Sequence, residues 1–316
     1  MDGLSFSHVP VLLEETLSSL QIDPEGTYVD ATAGGAGHSA RILERLSDKG
    51  RLLCMDQDPD AIRVLTERVG GDPRVTVIHD NFSHIAEVLE EQGISSVDGV
   101  LADLGVSSHQ PDTPERGFSF HADAPLDMRM SQKGPTAADL CNTLSVSELK
   151  QILYTYGEEK NAPQIARAIV NARENAPIET TLQLAELVKE AVPARARRAK
   201  HPARKTFQAL RIAVNGEMDV LNVALDSMFD VLKDGGRLSI ITFHSLEDRM
   251  VKQRFAGYCQ GCICPPEFPV CVCGRTPSGE LPFKFMTASE EELEANPRSR
   301  SAKLRCIQKI HSRYPE

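Results

Sequence analysis

Four short apolar runs, each ending at or just before an aspartate, alternate with helical patterns over the first third of the chain. The runs are predicted strands, and the acids are Asp30, Asp56, Asp80 and Asp103. Strands that alternate with amphipathic helices favour a parallel α/β sheet. Ligands of open sheets of this kind bind beyond the carboxyl ends of the strands. The four acids are therefore expected at the ligand-binding edge of one sheet.

The regular alternation of strand and helix stops after residue 103. Strands are predicted over residues 27–30, 51–55, 75–79 and 97–102, and helices over residues 39–46, 60–69 and 82–92. Residues 105–135 are rich in Gly, Pro, Ser and Asp and lack a period, which favours a functional loop. Residues 136–192 have helical periodicity throughout, so we interpret them as a helical insert.

The α/β alternation resumes near Thr206. A long helix is predicted over residues 207–232, with a break near Gly216, and a tight turn follows at residues 233–236. Residues 237–243 and 304–310 are predicted as the last two strands. The fold class is therefore α/β, a Rossmann-like sheet with an inserted helical domain.

A glycine-rich turn follows the first predicted strand. Residues 28–38 read YVDATAGGAGH, and glycines there let the backbone turn sharply and lie close to a ligand. Gly35, Gly37 and Ala40 fit the G-x-G-x-x-A fingerprint of dinucleotide sites, and Asp56 lies at about the ~20-residue offset of a ribose-binding acid. The turn alone thus fits either a nicotinamide dinucleotide or S-adenosylmethionine.

Three features favour S-adenosylmethionine. Asp30 places a carboxylate at the end of the strand, four residues before Gly34, which suits a cationic amino-acid ligand better than a pyrophosphate, and acids recur at the other strand ends. The segment LKDGGRL at residues 232–238 looks like the fifth-strand entry of class I methyltransferases. Asp30 or Asp103 would then face the ammonium or sulfonium, Asp56 the ribose hydroxyls and Phe82 the adenine.

Longer motifs make a resemblance specific over nearly the whole chain. They are HVPVLL (8–13), GHS (37–39), DLGVSS (103–108), ERGFSF (115–120), LDMRM (126–130), YGEE (156–159), TFQALRI (206–212), FHSLEDR (243–249) and NPRSRS (296–301). The chain resembles the bacterial small-subunit ribosomal RNA (cytosine-N4) methyltransferases, the MraW family. The resemblance implies a class I methyltransferase that methylates the N4 amine of a cytidine in the decoding region of 16S rRNA.

The resemblance also implies which residues contact the cofactor. Together with the acids and glycines above, the expected S-adenosylmethionine site comprises Asp30, Gly35, Ala36, Gly37, His38, Asp56, Phe82, Asp103 and Gln110. Ala36 replaces a glycine that is usual in the family's turn. Because alanine disfavours positive φ, we expect Ala36 at a turn position with negative φ.

The family places a helical substrate-recognition insert after the fourth strand. We accordingly divide the chain into a discontinuous S-adenosylmethionine-binding domain, residues 1–108 and 206–316, and a helical RNA-recognition insert, residues 109–205. In the insert, Phe118 and Phe120 are candidates to stack on an unstacked cytosine, although loop packing explains them equally well.

Catalysis by such an enzyme needs an acceptor for an amine proton, since the cytosine N4 lone pair is delocalised into the ring. Asp103, or a backbone carbonyl of residues 103–108, is the candidate acceptor. His244 is a candidate to position the base or a phosphate, and a buried histidine with a purely structural role is the alternative.

The net charge of −10 argues against a general nucleic-acid coat protein, so RNA contacts must come from local basic clusters. The candidates are Arg195, Arg197, Arg198, Lys200, Arg204 and Lys205 in one cluster, and Arg298 and Arg300 in a second cluster that continues through Lys303, Arg305, Lys309 and Arg313. Solvated surface is the alternative for either cluster.

Five of the eight cysteines are bunched near the C-terminus. They are Cys259, Cys262, Cys264, Cys271 and Cys273. Such bunching suggests a metal before a disulfide, but the spacing is not that of a standard zinc ribbon. A thiol-rich loop stays open as the alternative, and no metal ligand is assigned.

Three other functions compete with rRNA methylation. They are a nicotinamide-dependent oxidoreductase, a non-catalytic RNA-binding assembly protein and a DNA cytosine-N4 methyltransferase. We see neither a secretory signal nor an apolar run of bilayer-spanning length, so we expect a cytoplasmic protein without membrane contact. The expected partner is 16S rRNA, within the small ribosomal subunit, and a homodimer is left open.

Overall fold

A computed structural model describes residues 10–195, 201–265, 267–270 and 272–312. The chain forms two compact units. The first comprises the described residues up to Gly105 and those from Asp219 onward, and the second comprises Val106–Met218. Among the described residues, we find no helix with the length and apolar character needed to cross a membrane.

The predicted strands and helices occur in the predicted order, and the structure adds further elements. Up to residue 103 the elements are α1 (Leu13–Leu20), β1 (Thr27–Asp30), α2 (Gly37–Leu43), β2 (Arg51–Asp56), α3 (Pro59–Arg68), β3 (Val75–His79), α4 (Ile85–Glu91) and β4 (Val97–Asp103). The next are α5 (His109–Asp112), α6 (Ala137–Thr143), α7 (Val146–Gly157), α8 (Ala162–Arg173), α9 (Thr181–Ala191) and α10 (Arg204–Asn215). The last are α11 (Glu217–Asp230), β5 (Leu232–Thr242), α12 (Ser245–Cys259), β6 (Gly279–Glu280), α13 (Glu290–Ala295) and β7 (Lys303–Lys309). The sequence patterns did not predict α1, α5, α12, β6 and α13.

The first unit is built on a seven-stranded sheet in the order β3-β2-β1-β4-β5-β7-β6. Strands β1 to β5 are parallel, whereas β7 runs antiparallel to both β5 and β6. The predicted α/β, Rossmann-like class is confirmed. The strand order changes direction between β1 and β4. Ligands of open parallel sheets bind at this switch point.

Helices cover the sheet with apolar side chains. On one side Phe229, Leu225 and Phe255 pack against Val100 and Ile240 of the central strands. These residues are almost fully buried, and the burial of each large apolar side chain contributes about 1.5–3 kcal/mol. The sheet is therefore a rigid support for the side chains at its strand ends.

Two predicted elements differ in detail from the structure. The helix expected over residues 82–92 begins as a 3₁₀ turn, Phe82–His84, because the Asn81 side chain accepts a hydrogen bond from the Ser83 amide. The turn at residues 233–236 is a bulge inside β5, since β4 pairs Val97 with Leu232 and Gly99 with Arg237. The break near Gly216 is confirmed, with φ of 58° ending α10.

The second unit is helical and has its own apolar core. Three of its helices begin with a capping box, in which the Thr136, Ser145 and Thr180 side chains each cap the helix that follows. Leu149, Leu153 and the apolar faces of the neighbouring helices form the core. The boundaries and the RNA-recognition role of the predicted insert stay predictions.

Candidate active site

Three carboxylates end three neighbouring strands of the first unit. Asp30 ends β1, Asp56 ends β2 and Asp103 ends β4, and these strands lie side by side in the order β2-β1-β4. In the described part of the chain, no lysine or arginine lies within ion-pair distance of these three groups. Within the described residues, three carboxyl groups thus lie at one edge of the sheet without a lysine or arginine to balance their charged forms.

Asp30 is buried beneath the glycine-rich turn. Its Oδ2 accepts a hydrogen bond from Ser39 Oγ at 2.6 Å, and its Oδ1 accepts one from the Thr32 amide at 3.4 Å. Burial outweighs these hydrogen bonds and raises the pKa of Asp30 to about 6. Asp30 therefore fixes the start of α2 relative to β1 while carrying a charge that burial disfavours.

Asp56 holds the other side of the turn. Its Oδ2 accepts a hydrogen bond from the Gly34 amide at 2.8 Å, and its Oδ1 accepts one from the Asp58 amide at 2.9 Å. Burial raises the pKa of Asp56 to about 6 despite these two donors, and the charges of Asp58 and Asp30 add to the increase. Each carboxylate oxygen retains a second lone pair for a ligand donor.

The expectation of negative φ at Ala36 is wrong. Ala36 has φ of 65° and ψ of 17°, in the left-handed region, at the N-cap of α2. The turn imposes this conformation, because the Ala36 amide donates to the Ala33 carbonyl oxygen at 2.8 Å. A left-handed alanine costs roughly 1–2 kcal/mol. The cofactor turn therefore stores backbone strain.

Gly37 is required for a different reason, because its φ is not positive. A Cβ at Gly37 would lie 2.5 Å from Cγ of Pro10, so a larger residue would displace one of the two segments. Gly35 lies between Gly34 and Ala36, and its carbonyl oxygen accepts a hydrogen bond from Arg68 at 2.8 Å. The close approach of Pro10 therefore constrains the turn at Gly37, and the hydrogen bond from Arg68 constrains it at Gly35.

Asp103 differs from the other two acids because one of its oxygens lacks a hydrogen-bond donor among the described residues. Its Oδ1 is buried and, within the described residues, accepts no hydrogen bond. Burial raises the pKa of Asp103 well above its ordinary value, and the nearby charges of Asp30 and Glu247 raise it further. A buried acceptor without a donor in the protein is a place where a ligand can supply one.

His38 lies beside Asp103 but brings no positive charge. Its Nε2 is 3.1 Å from the Val11 carbonyl oxygen, and its Nδ1 is 3.9 Å from Asp103 Oδ2. Burial lowers the pKa of His38 to about 4, so the ring is neutral near pH 7. Because a carbonyl can only accept, Nε2 carries the proton, and Nδ1 of the neutral ring has none to donate to Asp103.

His244 caps the helix that follows β5. The Glu247 amide donates to His244 Nδ1 at 3.4 Å, and His244 Nε2 lies 3.0 Å from Glu247 Oε1. Glu247 Oε2 in turn accepts from the amides of Phe243 and His244. His244 therefore has a structural task at this N-cap, and its proposed contact with substrate stays a prediction.

Phe82, Asp80 and Gln110 do not end the strands that carry Asp30, Asp56 and Asp103. Phe82 is half-buried in the 3₁₀ turn after β3 and packs against the main core of the first unit. Asp80 does not join the other acids, since its Oδ1 lies 2.8 Å from His84 Nδ1 at an exposed position. Gln110 belongs to the second unit, where its side-chain oxygen accepts a hydrogen bond from the Ser107 amide at 3.1 Å.

Both candidate stacking phenylalanines pack inside the second unit. The Phe120 ring stacks on His201 with centroids 4.3 Å apart and meets Phe207 edge to face at 5.2 Å. The Arg116 guanidinium lies 5.8 Å from the centroid of Phe118. Both rings are half-buried, so each has a packing role and an accessible edge.

The candidate RNA contacts are exposed at five described positions, but two members of the second cluster are not. Arg305 and Lys309 are buried, since Arg305 Nε donates to Asp248 Oδ1 and Lys309 Nζ donates to the Asp230 and Leu232 carbonyl oxygens, each at 2.7 Å. Their predicted contact with RNA phosphates is therefore wrong. Exposed basic side chains are those of Arg195, Arg204, Lys205, Arg298 and Arg300. Lys205 Nζ also donates to the Glu158 carbonyl oxygen at 2.8 Å. Arg197, Arg198, Lys200 and Arg313 lie outside the described residues, as do His8 and Val9 of the first motif.

Three supporting residues of the site were missed by sequence reasoning. Ser39 holds Asp30, Thr32 Oγ1 accepts a hydrogen bond from the Asp103 amide at 2.6 Å, and Glu247 contributes charge near Asp103. Glu247 could have been found, because it lies three residues after a helix-capping side chain, as in a capping box. Ser39 belongs to the GHS motif at residues 37–39, whereas Thr32 has no signal beyond its position next to the glycine turn.

Comparison with known proteins identifies the family. A sequence model described as the MraW methylase family matches residues 5–310. The chain belongs to this family. It is 53% identical over 314 residues to ribosomal RNA small subunit methyltransferase H of Symbiobacterium thermophilum, covering 98% of both chains. It is 51% identical over 314 residues to the protein of that name from Brevibacillus brevis, covering 98% of this chain and 100% of the relative.

Membership confirms the resemblance drawn from the sequence motifs. It also confirms the predicted class of enzyme, a methyltransferase, with S-adenosylmethionine as the methyl donor. The uncompensated acids at the strand ends agree with a cationic cofactor. The nicotinamide alternative, which rested on the glycine fingerprint alone, is thereby displaced.

Asp103→Asn is expected to raise the thermal unfolding midpoint of the ligand-free protein. The change removes a carboxyl group whose charged form is destabilised by burial, so at a pH where Asp103 is ionised we expect a gain on the order of 1 kcal/mol, a shift of roughly 1–2 °C for a chain of this size. Differential scanning calorimetry would measure it. The matched control is Asp234→Asn at an exposed turn position, which should change stability by less than about 0.5 kcal/mol. A lower midpoint for Asp103→Asn would contradict this account of the site.

Proposed function

We propose that the chain transfers a methyl group from S-adenosylmethionine to the N4 amine of a cytidine in the decoding region of 16S rRNA. The observation that carries the proposal is the row of uncompensated carboxylates at the ends of β1, β2 and β4, in a chain of the MraW methylase family. The enzyme would act in the cytoplasm, on rRNA within the small ribosomal subunit.

The chemistry of the donor set fits the cofactor. The sulfonium supplies an activated methyl group, and the cofactor's amino-acid end carries an ammonium. Asp30 and Asp103 are assigned to this cationic half, and Asp56 to the ribose hydroxyls, since its oxygens retain free lone pairs. Gly35, Ala36, Gly37 and His38 would line the turn, and Phe82 would pack on the adenine. Gln110 stays a predicted cofactor contact.

Charge and pH give a direct test of this assignment. Asp30 and Asp56 have pKa values near 6 in the ligand-free protein, above the 3.8 of an exposed carboxyl group. Both take up protons as the pH falls from 7 to 5, so affinity for the cationic cofactor should fall over that interval. The same proton uptake occurs in the folded state before the unfolded state, so these two groups make the ligand-free fold more stable as the pH falls.

Isothermal titration between pH 5 and 7.5 would measure the change in affinity. Neutral adenosine is the control ligand, because its binding should depend less steeply on pH than that of S-adenosylmethionine. Calorimetric unfolding of the ligand-free protein should show the opposite trend, a contribution of these two groups to stability that increases as the pH falls. If affinity for S-adenosylmethionine is constant while adenosine binding changes, the carboxylates do not face the cationic end.

Asp103 is also assigned to the reacting amine. When bound, S-adenosylmethionine would supply the methyl group for a new N–C bond at N4, and its sulfur would keep the electron pair of the broken S–C bond. The amine loses one proton, for which Asp103 Oδ1 is the candidate acceptor because it is buried without a donor among the described residues. A hydrogen bond from N4 to this oxygen would localise the lone pair and hold the amine in line with the methyl group, about 3–3.5 Å away.

Methylation of defined substrates tests the proposed activity. Small subunits, free 16S rRNA and a matched DNA are each incubated with the protein and labelled S-adenosylmethionine, and the product is mapped by mass spectrometry. We expect one N4-methylcytidine in the small subunit, and a loss of at least about 100-fold in rate for Asp103→Ala, within the range of acid–base contributions. Asp234→Ala is the control and should retain the rate.

Label in DNA alone, or no label in any substrate, would overturn the function. An unchanged rate in Asp103→Ala would overturn only the acceptor role. Sedimentation of the same preparations tests the homodimer.

RNA contact is assigned to the exposed basic residues. Arg298 and Arg300 lie in a 3₁₀ turn, Pro297–Ser301, of the first unit, and Arg204 and Lys205 begin α10 of the second unit. Exposed cations can neutralise phosphates in spite of the overall charge of −10. The other members of the first cluster, Arg195, Arg197, Arg198 and Lys200, are assigned by proximity in the sequence.

Charge reversal at Arg298 and Arg300 should weaken RNA binding in a salt-dependent way. Loss of two phosphate contacts makes the negative slope of log K against log salt less steep by about 2 at most. The loss of binding affinity should be similar for all RNA sequences. The matched control, Lys49→Glu with Lys150→Glu, makes the same change in net charge at two other exposed lysines. Equal losses in the two double variants would indicate a general charge effect and assign Arg298 and Arg300 to solvent.

A further inference from the structure

Three cysteines converge in the segment that links α12 to β6. The Sγ atoms of Cys262, Cys264 and Cys273 all lie within 4.8 Å of one another. Two of these residues come from one side of a loop and the third from the other side, eleven residues apart along the chain for Cys262 and Cys273. None of the three cysteines belongs to the candidate active site.

The separation of the sulfur atoms matches a shared metal. Cys262 Sγ and Cys273 Sγ are 3.8 Å apart. A disulfide bond is about 2.05 Å long, so these sulfurs are not bonded to each other. In a tetrahedral zinc site with Zn–S bonds of about 2.3 Å, two sulfurs lie about 3.8 Å apart, because the edge of a tetrahedron is about 1.63 times its centre-to-vertex distance.

Backbone amides point at the sulfurs of this cluster. The Cys264 amide donates to Cys262 Sγ at 3.4 Å, and the Val272 amide donates to Cys264 Sγ at 3.4 Å. Amide donors stabilise the thiolate more than the thiol, because the thiolate is the stronger acceptor. Thiolate is the form that binds a metal.

The segment around the cluster has little else to order it. Its apolar side chains are exposed rather than packed, with Ile263, Phe268, Val270 and Val272 between 50% and 73% accessible. Its two ends are held together, since the Ser278 amide donates to the Tyr258 carbonyl oxygen at 2.9 Å and Arg275 donates to the Gly257 carbonyl oxygen at 2.9 Å. A short loop without a core needs a cross-link to adopt one conformation.

Cys259 is not part of the cluster, although it belongs to the same run in the sequence. It ends α12 and packs against the main core of the first unit. Cys271, which forms a second C-x-C pair with Cys273, lies outside the described residues. The structure therefore separates Cys259 from Cys262, Cys264 and Cys273.

We propose that Cys262, Cys264 and Cys273 bind one structural zinc ion that fixes this segment. Zinc takes sulfur ligands in tetrahedral geometry and needs no redox partner. On binding, each thiol releases its proton to water, and each sulfur donates an electron pair to the ion. Three thiolates leave the fourth tetrahedral position to a further donor such as water.

The test is the metal content of the whole chain, purified under reducing conditions from zinc-supplemented cells. We expect about one zinc ion per chain in the native protein and near zero in Cys262→Ser/Cys264→Ser/Cys273→Ser. Cys259→Ser is the matched control and should keep its zinc. Native mass spectrometry counts the ion on the intact chain, and cobalt substitution should give an intense thiolate-to-cobalt absorption band.

Several results would overturn the proposal. The first is a native chain that contains no zinc and gives no thiolate-to-cobalt band. The second is a triple variant that still contains zinc, and the third is a native chain that contains iron in place of zinc. Should the triple variant fail to fold, the cobalt spectrum of the native chain still decides. Limited proteolysis gives an independent readout, since removal of zinc by a chelator should expose the segment between Cys262 and Cys273 to cleavage.

Discussion

Negative charge at the ends of three adjacent strands is the constraint on which the site depends. Asp30, Asp56 and Asp103 are brought together by parallel pairing, and burial raises the pKa of each carboxyl group. A protein gains no stability from such an arrangement, because each charge loses hydration without finding a cation. The arrangement makes sense in an enzyme that binds a cationic cofactor, since the ligand then supplies the missing charge.

The supporting contacts keep these acids from relaxing apart. Ser39 holds Asp30, the Gly34 amide holds Asp56, and Thr32 accepts a hydrogen bond from the amide of Asp103. Ala36 adds a left-handed backbone conformation in the same turn. Strain and unfavourable charge persist here because the surrounding sheet, with its buried apolar faces, supplies enough stability to hold them. The site is therefore preorganised at the expense of the ligand-free fold.

Sequence patterns predicted much of this architecture. Strand and helix alternation gave β1 to β4 almost residue by residue, since short apolar runs bounded by turns leave few alternatives in a parallel sheet. The motifs identified the family over nearly the whole chain. Patterns failed where a local contact decides the geometry: the 3₁₀ start at Phe82, the bulge in β5 and the positive φ of Ala36.

The sequence by itself determined the fold class, the family and the acids that end the strands, because each is written in local periodicity or in motif order. Only the tertiary structure decided which acids share one environment, and it excluded Asp80, which pairs with His84. It alone separated Cys259 from Cys262, Cys264 and Cys273, which linear spacing had grouped together. The reason is physical: charge coupling, burial and sulfur–sulfur distances depend on positions in space, and residues adjacent in the chain can face different surroundings.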